Sequence, residues 1–200
     1  MGCSSVTSPT ARPKLVLPAA GDLRAPLPAS TDVAVIGGGL AGCALAYFLA
    51  AAGAEVVVIE RGELNREASG TNAGSFHFQI AIHQLTGSDN DADTARLHED
   101  VRLHAEAADV WSTLEGELGA DLGVHVTGGL MVAETEDELA TLIRKQRIER
   151  AAGLETELLT GRELRDFAPY LADDLTGAVY CGREADTPQP HPDIRRLSSR

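Results

Sequence analysis

The residues with the clearest chemistry in this chain are glycines whose spacing suits the binding of a diphosphate. Residues 37–42 read Gly-Gly-Gly-Leu-Ala-Gly and match the pattern G-x-G-x-x-G, with Gly38 inside the turn. In this pattern Gly37 permits a sharp turn out of a strand, and Gly39 lets the backbone approach a pyrophosphate. Gly42 allows a helix to pack closely on that strand. The helix N-terminus adds free N–H groups and the positive end of its dipole.

A single acid completes this nucleotide chemistry. Glu60 ends the apolar run Val56–Ile59 and lies 23 positions after Gly37. A carboxylate at the tip of a second strand accepts hydrogen bonds from ribose hydroxyls and repels a 2′-phosphate. The pattern therefore predicts an adenine dinucleotide, and it favours FAD or NAD over NADP.

The elements around these residues are those needed to position them. The apolar run Val33–Ile36 predicts a buried parallel strand, and an Ala- and Leu-rich helix follows to about Ala52, with Gly53 as a natural C-cap. Val56–Ile59 predicts a second buried strand. The predicted fold class is α/β, an FAD/NAD(P)-binding Rossmann-like domain. A glycine turn without a ligand is the alternative, and the agreement of both strands, the helix and the acid disfavours it.

The next stretch, residues 61–75, is rich in Gly, Ser, Thr and Asn, which predicts a loop with many exposed backbone donors. Such a loop suits the ribityl and pyrophosphate oxygens of a flavin cofactor. A NAD-dependent dehydrogenase would more often continue with another strand–helix repeat, so FAD is favoured over NAD. An ordinary surface loop remains the alternative for this stretch.

Beyond the loop the pattern changes to a mixture of strands and helices. Apolar and polar side chains alternate over Phe76–His83, which predicts a strand. Its His77 and Gln79 are expected to face a cofactor or substrate cavity, to face water, or to satisfy a local hydrogen bond. An amphipathic helix is predicted from about Asp93 to Leu118. Further predicted elements are a strand–bend–strand over 124–133, helices over 135–152 and 160–169, and a strand over 175–181. Together they predict part of a mixed-sheet α+β substrate domain with an antiparallel sheet.

Composition restricts the classes of function. The chain has 200 residues, of which 44% are hydrophobic and 24% charged, as is typical of globular domains. Its net charge of −13 disfavours nucleic acid and anionic membrane surfaces as partners. The three cysteines are widely separated and His98 and His104 do not share a helix face, so we expect no metal site and a reducing, cytoplasmic location. No run approaches the roughly 20 apolar residues of a transmembrane helix.

On these motifs the chain resembles the FAD-dependent oxidoreductases of the D-amino acid oxidase type, the relatives of glycine oxidase, sarcosine oxidase and D-amino acid dehydrogenase. The resemblance runs from about Asp32 to Cys181 and is most specific at VIGGGLAG, VVVIER and ASGTNAGSFH. It implies FAD as cofactor and a small amine or amino acid as substrate, oxidised at its C–N bond by hydride transfer to the flavin. The cofactor-binding residues that it implies are Gly37, Gly38, Gly39, Gly42, Glu60, Arg61, Ser69, Gly70, Thr71, Asn72 and Gly74.

The resemblance and the composition together predict a domain organisation. We expect a disordered leader over 1–30, an N-terminal FAD-binding portion over 31–90, a partial substrate domain with the long helix over 91–181, and an irregular tail over 182–200. Family members continue past this length and hold their substrate ligands there, so no catalytic residue is assigned. We therefore expect this chain to be the N-terminal portion of such an enzyme. The alternatives are a non-catalytic truncated remnant, an FAD-binding subunit whose partner chain supplies the missing half, and a NAD-dependent dehydrogenase.

Overall fold

The computed structural model describes residues 27–85 and 91–187, which form two compact units, residues 27–73 and residues 74–187. Residues 1–26 of the predicted leader and 188–200 of the predicted tail lie outside the described residues. The boundary between the units lies earlier than the boundary at residue 90 that we expected, because Phe76, Phe78 and Ile80 pack in the core of the second unit. No helix in the described ranges has both the length and the apolarity needed to cross a bilayer.

The first unit is built on a parallel pair of strands joined by a helix. β1 (Val33–Ile36) pairs with β2 (Val56–Ile59) along its whole length, and α1 (Leu40–Ala51) forms the crossover between them. The chain leaves α1 at Gly53, whose φ of +94° is a left-handed conformation that favours glycine. A short 3₁₀ helix (Ala68–Gly70) lies in the loop after β2. The strand–helix–strand predicted from the glycine pattern is confirmed. The prediction that both strands are buried is wrong, since of their eight residues only Val35 is buried, and among the described residues of this unit α1 is the one long helix that covers the pair.

The second unit contains a three-stranded antiparallel sheet whose central strand is β7 (Gly177–Cys181). Its other strands are β5 (Gly129–Ala133) and β6 (Glu157–Thr160). Both faces of β7 are covered, since α4 (Glu136–Ala151) packs around Val179 and α5 (Gly161–Phe167) packs around Ala178. Coverage on both faces explains why this strand is almost wholly apolar. The antiparallel sheet predicted for this part of the chain is confirmed.

The bounds of α4 follow from its capping residues. The Thr135 hydroxyl accepts a hydrogen bond from the Glu138 N–H at 3.3 Å, and the Glu138 carboxylate accepts one from the Thr135 N–H at 3.2 Å. This reciprocal capping box satisfies two of the N–H groups that a helix start leaves unpaired. At the other end Gly153, with φ of +97°, turns the chain away. Both signals were predicted from the sequence.

The largest buried hydrophobic cluster among the described residues lies between two long helices and residues 76–80, near the start of the second unit. α3 (Asp91–Leu118) contributes Leu97, Val101 and Ala108. These pack with Phe78 and Ile80, and with Ile148 from α4. The first part of the amphipathic stripe predicted from the sequence is therefore core packing, as expected, whereas Leu118 at the end of α3 is 41% exposed.

The strand predicted over residues 76–83 is wrong. Only β3 (Ser75–Phe76) is a strand, and Ile82–Leu85 form a short helix, α2. Between them the backbone N–H groups of Gln79 and Ile80 bond to side-chain carboxylates instead of to a neighbouring strand. The alternation of polar and apolar residues is real, but its partners are glutamates far away in sequence.

Regular structure continues into the stretch expected to be an irregular tail. β8 (Ala185–Asp186) pairs antiparallel with both β3 and β4 (His125–Val126). The pairing is extended by a hydrogen bond from the Thr187 N–H to the Gly74 carbonyl at 2.7 Å. Because β8 has only two residues, it shows no periodicity that sequence analysis could detect, although it joins β3 to β4.

Candidate cofactor site

The glycine turn forms as the sequence predicts. Gly37 has φ of +108°, and its N–H donates to the Ile59 carbonyl at 2.9 Å, which ties the turn to the end of β2. A Cβ at Gly42 would overlap the Gly37 carbonyl oxygen and would also touch Val35. Gly42 thus permits α1 to lie against the turn, and larger residues would push the helix away.

The N-terminus of α1 opens toward a serine of the following loop. Gly39 is the N-cap and offers no side chain to the first turn of the helix, whose N–H groups have no intrahelical partners. The Ser69 hydroxyl accepts the N–H of Leu40 at 3.0 Å, and a Cβ at Gly39 would lie 3.0 Å from the same hydroxyl. The structure therefore brings Ser69, a predicted site residue, to the anion-binding end of this helix.

Glu60 reaches back to the same turn. Its carboxylate accepts the N–H of Gly38 at 2.7 Å and the N–H of Gly62 at 2.9 Å. These two backbone hydrogen bonds hold the pKa of Glu60 below its ordinary value, and the bond from Gly38 has the larger effect. A carboxylate that is ionised and fixed beside the glycine turn is the group that the sequence predicted for a ribose contact.

Asn65 is a further residue of this region, and sequence analysis missed it. Its φ is +61°, its N–H donates to the Gly38 carbonyl at 2.8 Å, and a Cβ at Gly70 would overlap its carbonyl oxygen. Its side-chain Oδ1 is buried without a hydrogen-bond partner in the structure. An asparagine in a Gly- and Ser-rich loop is a common left-handed residue, which is the only signal that the sequence offered.

The other predicted loop residues differ in what they contact. Arg61 is exposed and its guanidinium lies 3.3 Å from the Glu67 carboxylate. The Thr71 hydroxyl donates to the Glu67 carbonyl at 3.2 Å, and the Asn72 side chain donates to the Ser69 carbonyl at 2.6 Å. These contacts fold the loop on itself beside the 3₁₀ helix.

Gly74, the last of the predicted site residues, lies in the second unit. Its φ is +76°, and a Cβ at this position would overlap the Thr187 carbonyl. Gly74 is therefore required by the pairing that joins it to Thr187. The other ten predicted residues all lie in the first unit.

A polar cluster in the second unit, buried except at His77, contains two residues that the sequence singled out. Lys145 Nζ donates to Glu149 Oε1 and to Gln79 Oε1, each at 2.7 Å. Glu184 accepts the N–H of Gln79 at 3.2 Å and contacts His77 Nδ1 at 3.1 Å. Of the environments proposed for His77 and Gln79, the structure shows hydrogen-bond partners for both residues and exposure to water for His77.

The lysine of this cluster was missed by sequence analysis, although its spacing carried a signal. Lys145 lies three positions from both Leu142 and Ile148, so it falls on the buried face of α4. Burial lowers the pKa of Lys145, and the neighbouring Glu149 charge opposes that shift. Among the described residues, no group of three or more His, Cys, Asp or Glu side chains is arranged to hold a metal ion.

Comparison with known proteins assigns the chain to a class. The family described as FAD dependent oxidoreductase, DAO, matches residues 32–192, and the chain belongs to this family.

Individual relatives cover a similar part of the chain. It is similar to the mitochondrial sarcosine dehydrogenase of Mus musculus, 34% identical over 158 residues that make up 78% of this chain and 16% of that protein. The glycine oxidase of Geobacillus kaustophilus is 29% identical over 164 residues, 80% of this chain and 40% of that protein. Among solved structures, glycine oxidase from Bacillus cereus matches with a TM-score of 0.56 and 28% identity over 80% of this chain and 41% of that chain. The chain thus spans less than half the length of these relatives.

The residues of the first unit suit the cofactor of this family. A diphosphate requires N–H groups at a helix start, and Gly39, the N-cap, places no side chain of its own there, while the Ser69 hydroxyl accepts the Leu40 N–H. A hydroxylated cofactor requires acceptors, and the Glu60 carboxylate lies beside the glycine turn. Asn65, whose N–H donates to the Gly38 carbonyl, adds a buried Oδ1 that has no hydrogen-bond partner. FAD therefore fits the donors and acceptors present.

Proposed function

We propose that the first unit binds FAD and that the chain is part of an enzyme that oxidises the C–N bond of an amino acid or secondary amine. The observation that carries the proposal is the placement of Glu60 at 2.7 Å from the Gly38 N–H, on a turn where Gly42 packs against Gly37. Membership of the FAD-dependent family supports the cofactor. The names of the relatives, sarcosine dehydrogenase and glycine oxidase, support a small amine as substrate.

Each residue has a stated role in this proposal. The N-terminus of α1 at Gly39 holds the pyrophosphate, Glu60 accepts hydrogen bonds from the adenosine ribose, and Arg61 lies beside the adenine. Loop residues approach the pyrophosphate and the flavin: Ser69, Gly70, Thr71, Asn72 and Gly74. When bound, FAD supplies the acceptor for a hydride from the carbon next to the substrate nitrogen. The net charge of −13 disfavours nucleic acid as a partner.

The proposal is tested by cofactor retention. The full chain is mixed with FAD, freed of excess by gel filtration, and examined by absorbance, with NAD in a parallel sample. We expect flavin absorbance to co-elute with the protein, and Gly39→Val to abolish it because the side chain blocks the pyrophosphate. Gly116→Val is the matched control, since a Cβ at Gly116 meets no atom within 4 Å. Retention of NAD instead of FAD, or equal FAD retention by Gly39→Val, would contradict the assignment.

We also propose that a partner chain covers part of the first unit. Apolar side chains on β1 and α1 are exposed: Ile36 at 86%, Leu45 at 51% and Phe48 at 45%. Leu45 and Phe48 lie three positions apart and therefore share a face of α1, and exposed apolar residues that share a face are typical of interaction surfaces. Phe48→Gln should weaken co-elution of the chain with its partner from the native source. Leu103→Gln, which changes an exposed leucine of α3, should not.

We propose that the protein is located in the cytoplasm, a reducing compartment, because its described cysteines are free thiols. Cys43 and Cys181 are free in the structure, and burial raises the pKa of both thiols. Both thiols are therefore held in their protonated, less reactive form. Alkylation of the native protein before lysis, followed by mass spectrometry, should find both reduced. A disulfide to either residue would contradict this location.

A further inference from the structure

A cleft with a volume of about 130 Å³ is formed by residues of the second unit, on α3, β3, β4 and β8 and in the loops beside them. Its walls are mostly apolar, and they include Phe76, Phe78, Trp111, Val126 and Ala185. The rings of Phe76 and Trp111 meet edge to face, with their centroids 4.6 Å apart. The cleft therefore offers aromatic surface to whatever enters it.

The size of the cleft limits its occupant to about one ring. A cavity of about 150 Å³ lined by apolar side chains binds one benzene molecule. Phe78 and Ala185 are buried, whereas Val126 is 64% exposed, so the cleft is open to solvent beside Val126. Water finds few hydrogen-bond partners against apolar walls, and an apolar group that displaces such water gains affinity. A single aromatic ring suits both the size and the lining.

Arg183 determines which polar group the ring can carry. Of the described residues that line the cleft, it is the one that is charged, and its side chain is 31% exposed. Its Nη2 donates to the carboxylate of Asp109, an exposed residue of α3 that compensates its charge. A guanidinium has five N–H donors, so donors remain for a second acceptor. An anionic ligand would gain little net attraction from this neutral pair and would lose hydration against the apolar walls.

We propose that this cleft binds a neutral molecule with one aromatic ring and one hydrogen-bond acceptor. The ring lies against Phe76 and Trp111, and the acceptor bonds to the Arg183 guanidinium. Asp109 sets the specificity, because its charge keeps Arg183 from attracting anions. Every residue that forms the site belongs to the second unit, so its test needs no FAD.

The first test is a titration of the full chain with benzyl alcohol, followed by the fluorescence of Trp111, the single tryptophan of the chain. Benzyl alcohol has the ring and the acceptor, and it does not absorb where tryptophan is excited. We expect a saturable change with a dissociation constant of roughly 0.1–10 mM, as is typical of so small a ligand. Phenylacetate, a charged counterpart, should bind at least about tenfold more weakly. Absence of saturable binding, or equal binding of phenylacetate, would overturn the proposal.

Two substitutions separate the acceptor contact from the charge. Arg183→Met keeps an apolar stem but removes the donors, so it should weaken benzyl alcohol binding by at least about fivefold and leave toluene, which has no acceptor, unchanged. Asp109→Asn removes the compensating charge, so it should strengthen phenylacetate binding by at least about threefold and change benzyl alcohol little. Glu117→Gln, which changes an exposed acid near the end of α3, is the control and should alter neither.

The outcomes of these substitutions decide the chemistry of the site. Equal weakening of benzyl alcohol and toluene by Arg183→Met would show that no acceptor contact exists. Phenylacetate binding that does not respond to Asp109→Asn would show that charge compensation does not set the specificity. Either result would overturn the proposal.

NMR locates the bound ring. The methyl signals of Ala108 and Ala185, which line the cleft, should shift with the dissociation constant found by fluorescence. The methyl signal of Ala133, which is buried in a different cluster, should not move. Shifts confined to other parts of the chain would show that the ring binds elsewhere and would overturn the site. None of these outcomes bears on the FAD-dependent oxidation proposed above.

Discussion

Lys145 and Glu149 form an ion pair inside the second unit, with Nζ and Oε1 2.7 Å apart and neither side chain exposed to solvent. Removing two charges from water costs several kcal/mol per ion, so such a pair contributes little net stability. Each member of the pair has one more partner. Lys145 Nζ donates to the side-chain oxygen of Gln79, and Glu149 Oε1 accepts the N–H of Ile80 at 2.8 Å. The pair therefore holds residues 79 and 80, the stretch that separates β3 from α2.

Removing one charge of this pair should destabilise the second unit more than removing both. Lys145→Met or Glu149→Leu alone leaves an uncompensated buried charge, for which we expect a loss of about 3–5 kcal/mol in the free energy of unfolding. The double variant should lose less than either single variant, about 1–3 kcal/mol, because both costs of desolvation disappear together while the buried Ile80 N–H loses its acceptor. Urea unfolding followed by Trp111 fluorescence measures all four proteins. Additive losses would show that Lys145 and Glu149 contribute independently of each other, and would contradict the prediction.

The double variant should nevertheless release the segment that the pair holds. Without Glu149, the Ile80 N–H has no acceptor, so its amide should exchange with solvent at least about tenfold faster. Val179 on β7 is the comparison, since it lies in the centre of a sheet paired on both sides. Hydrogen exchange followed by NMR reports both amides in one sample. Equal protection of Ile80 in parent and double variant would show that other contacts hold this segment.

The parts of the fold that sequence analysis predicted correctly depend on local signals. β1, α1 and β2 follow from apolar runs and glycines within 27 residues, Val33 to Ile59. The start of α4 follows from Thr135 and Glu138, which are three residues apart. In each case the residues that decide the structure are neighbours in sequence, and their spacing is the geometry of a turn or a strand.

The parts that were missed depend on partners distant in sequence. Gln79 looked like a strand residue because its alternation with Phe78 and Ile80 is real, yet its N–H bonds to Glu184, 105 residues away. Lys145 was overlooked since a buried lysine is rare and its acceptor, Gln79, is 66 residues distant. Periodicity contains no information about such pairs.

Gly128 should tolerate no side chain, in contrast to a nearby glycine. Its φ is +72°, and a Cβ there would overlap the Tyr180 ring, which packs against Phe167. We expect Gly128→Ala to destabilise the second unit by about 2–4 kcal/mol, from backbone strain and overpacking together. At Gly182 a Cβ would meet Tyr180 only at 3.5 Å, so Gly182→Ala should change stability by less than about 1 kcal/mol. Thermal unfolding of the two variants compares them directly, and equal losses would contradict the argument.

Glu60 should make the stability of the first unit depend on pH in the acid range. Hydrogen bonds from Gly38 and Gly62 lower its pKa in the folded chain below the ordinary value of 4.5. The folded state therefore binds fewer protons than the unfolded state between the two values, and stability rises with pH across that window. The contribution should be fully present above pH 4.5 and should disappear as the pH falls through the lowered pKa of the folded state.

The measurement compares the parent with Glu60→Gln, which keeps an oxygen acceptor but cannot be ionised. Amide signals of α1 follow unfolding of the first unit in urea at a series of pH values, since Trp111 reports on the second unit. We expect the difference in midpoint between parent and variant to be constant above pH 4.5 and to shrink toward zero below it. Glu55→Gln, an exposed glutamate just before β2, should show no such trend. A difference that persists unchanged at low pH would mean that Glu60 acts through its shape and not through its charge, and the carboxylate would lose its assigned place beside the glycine turn.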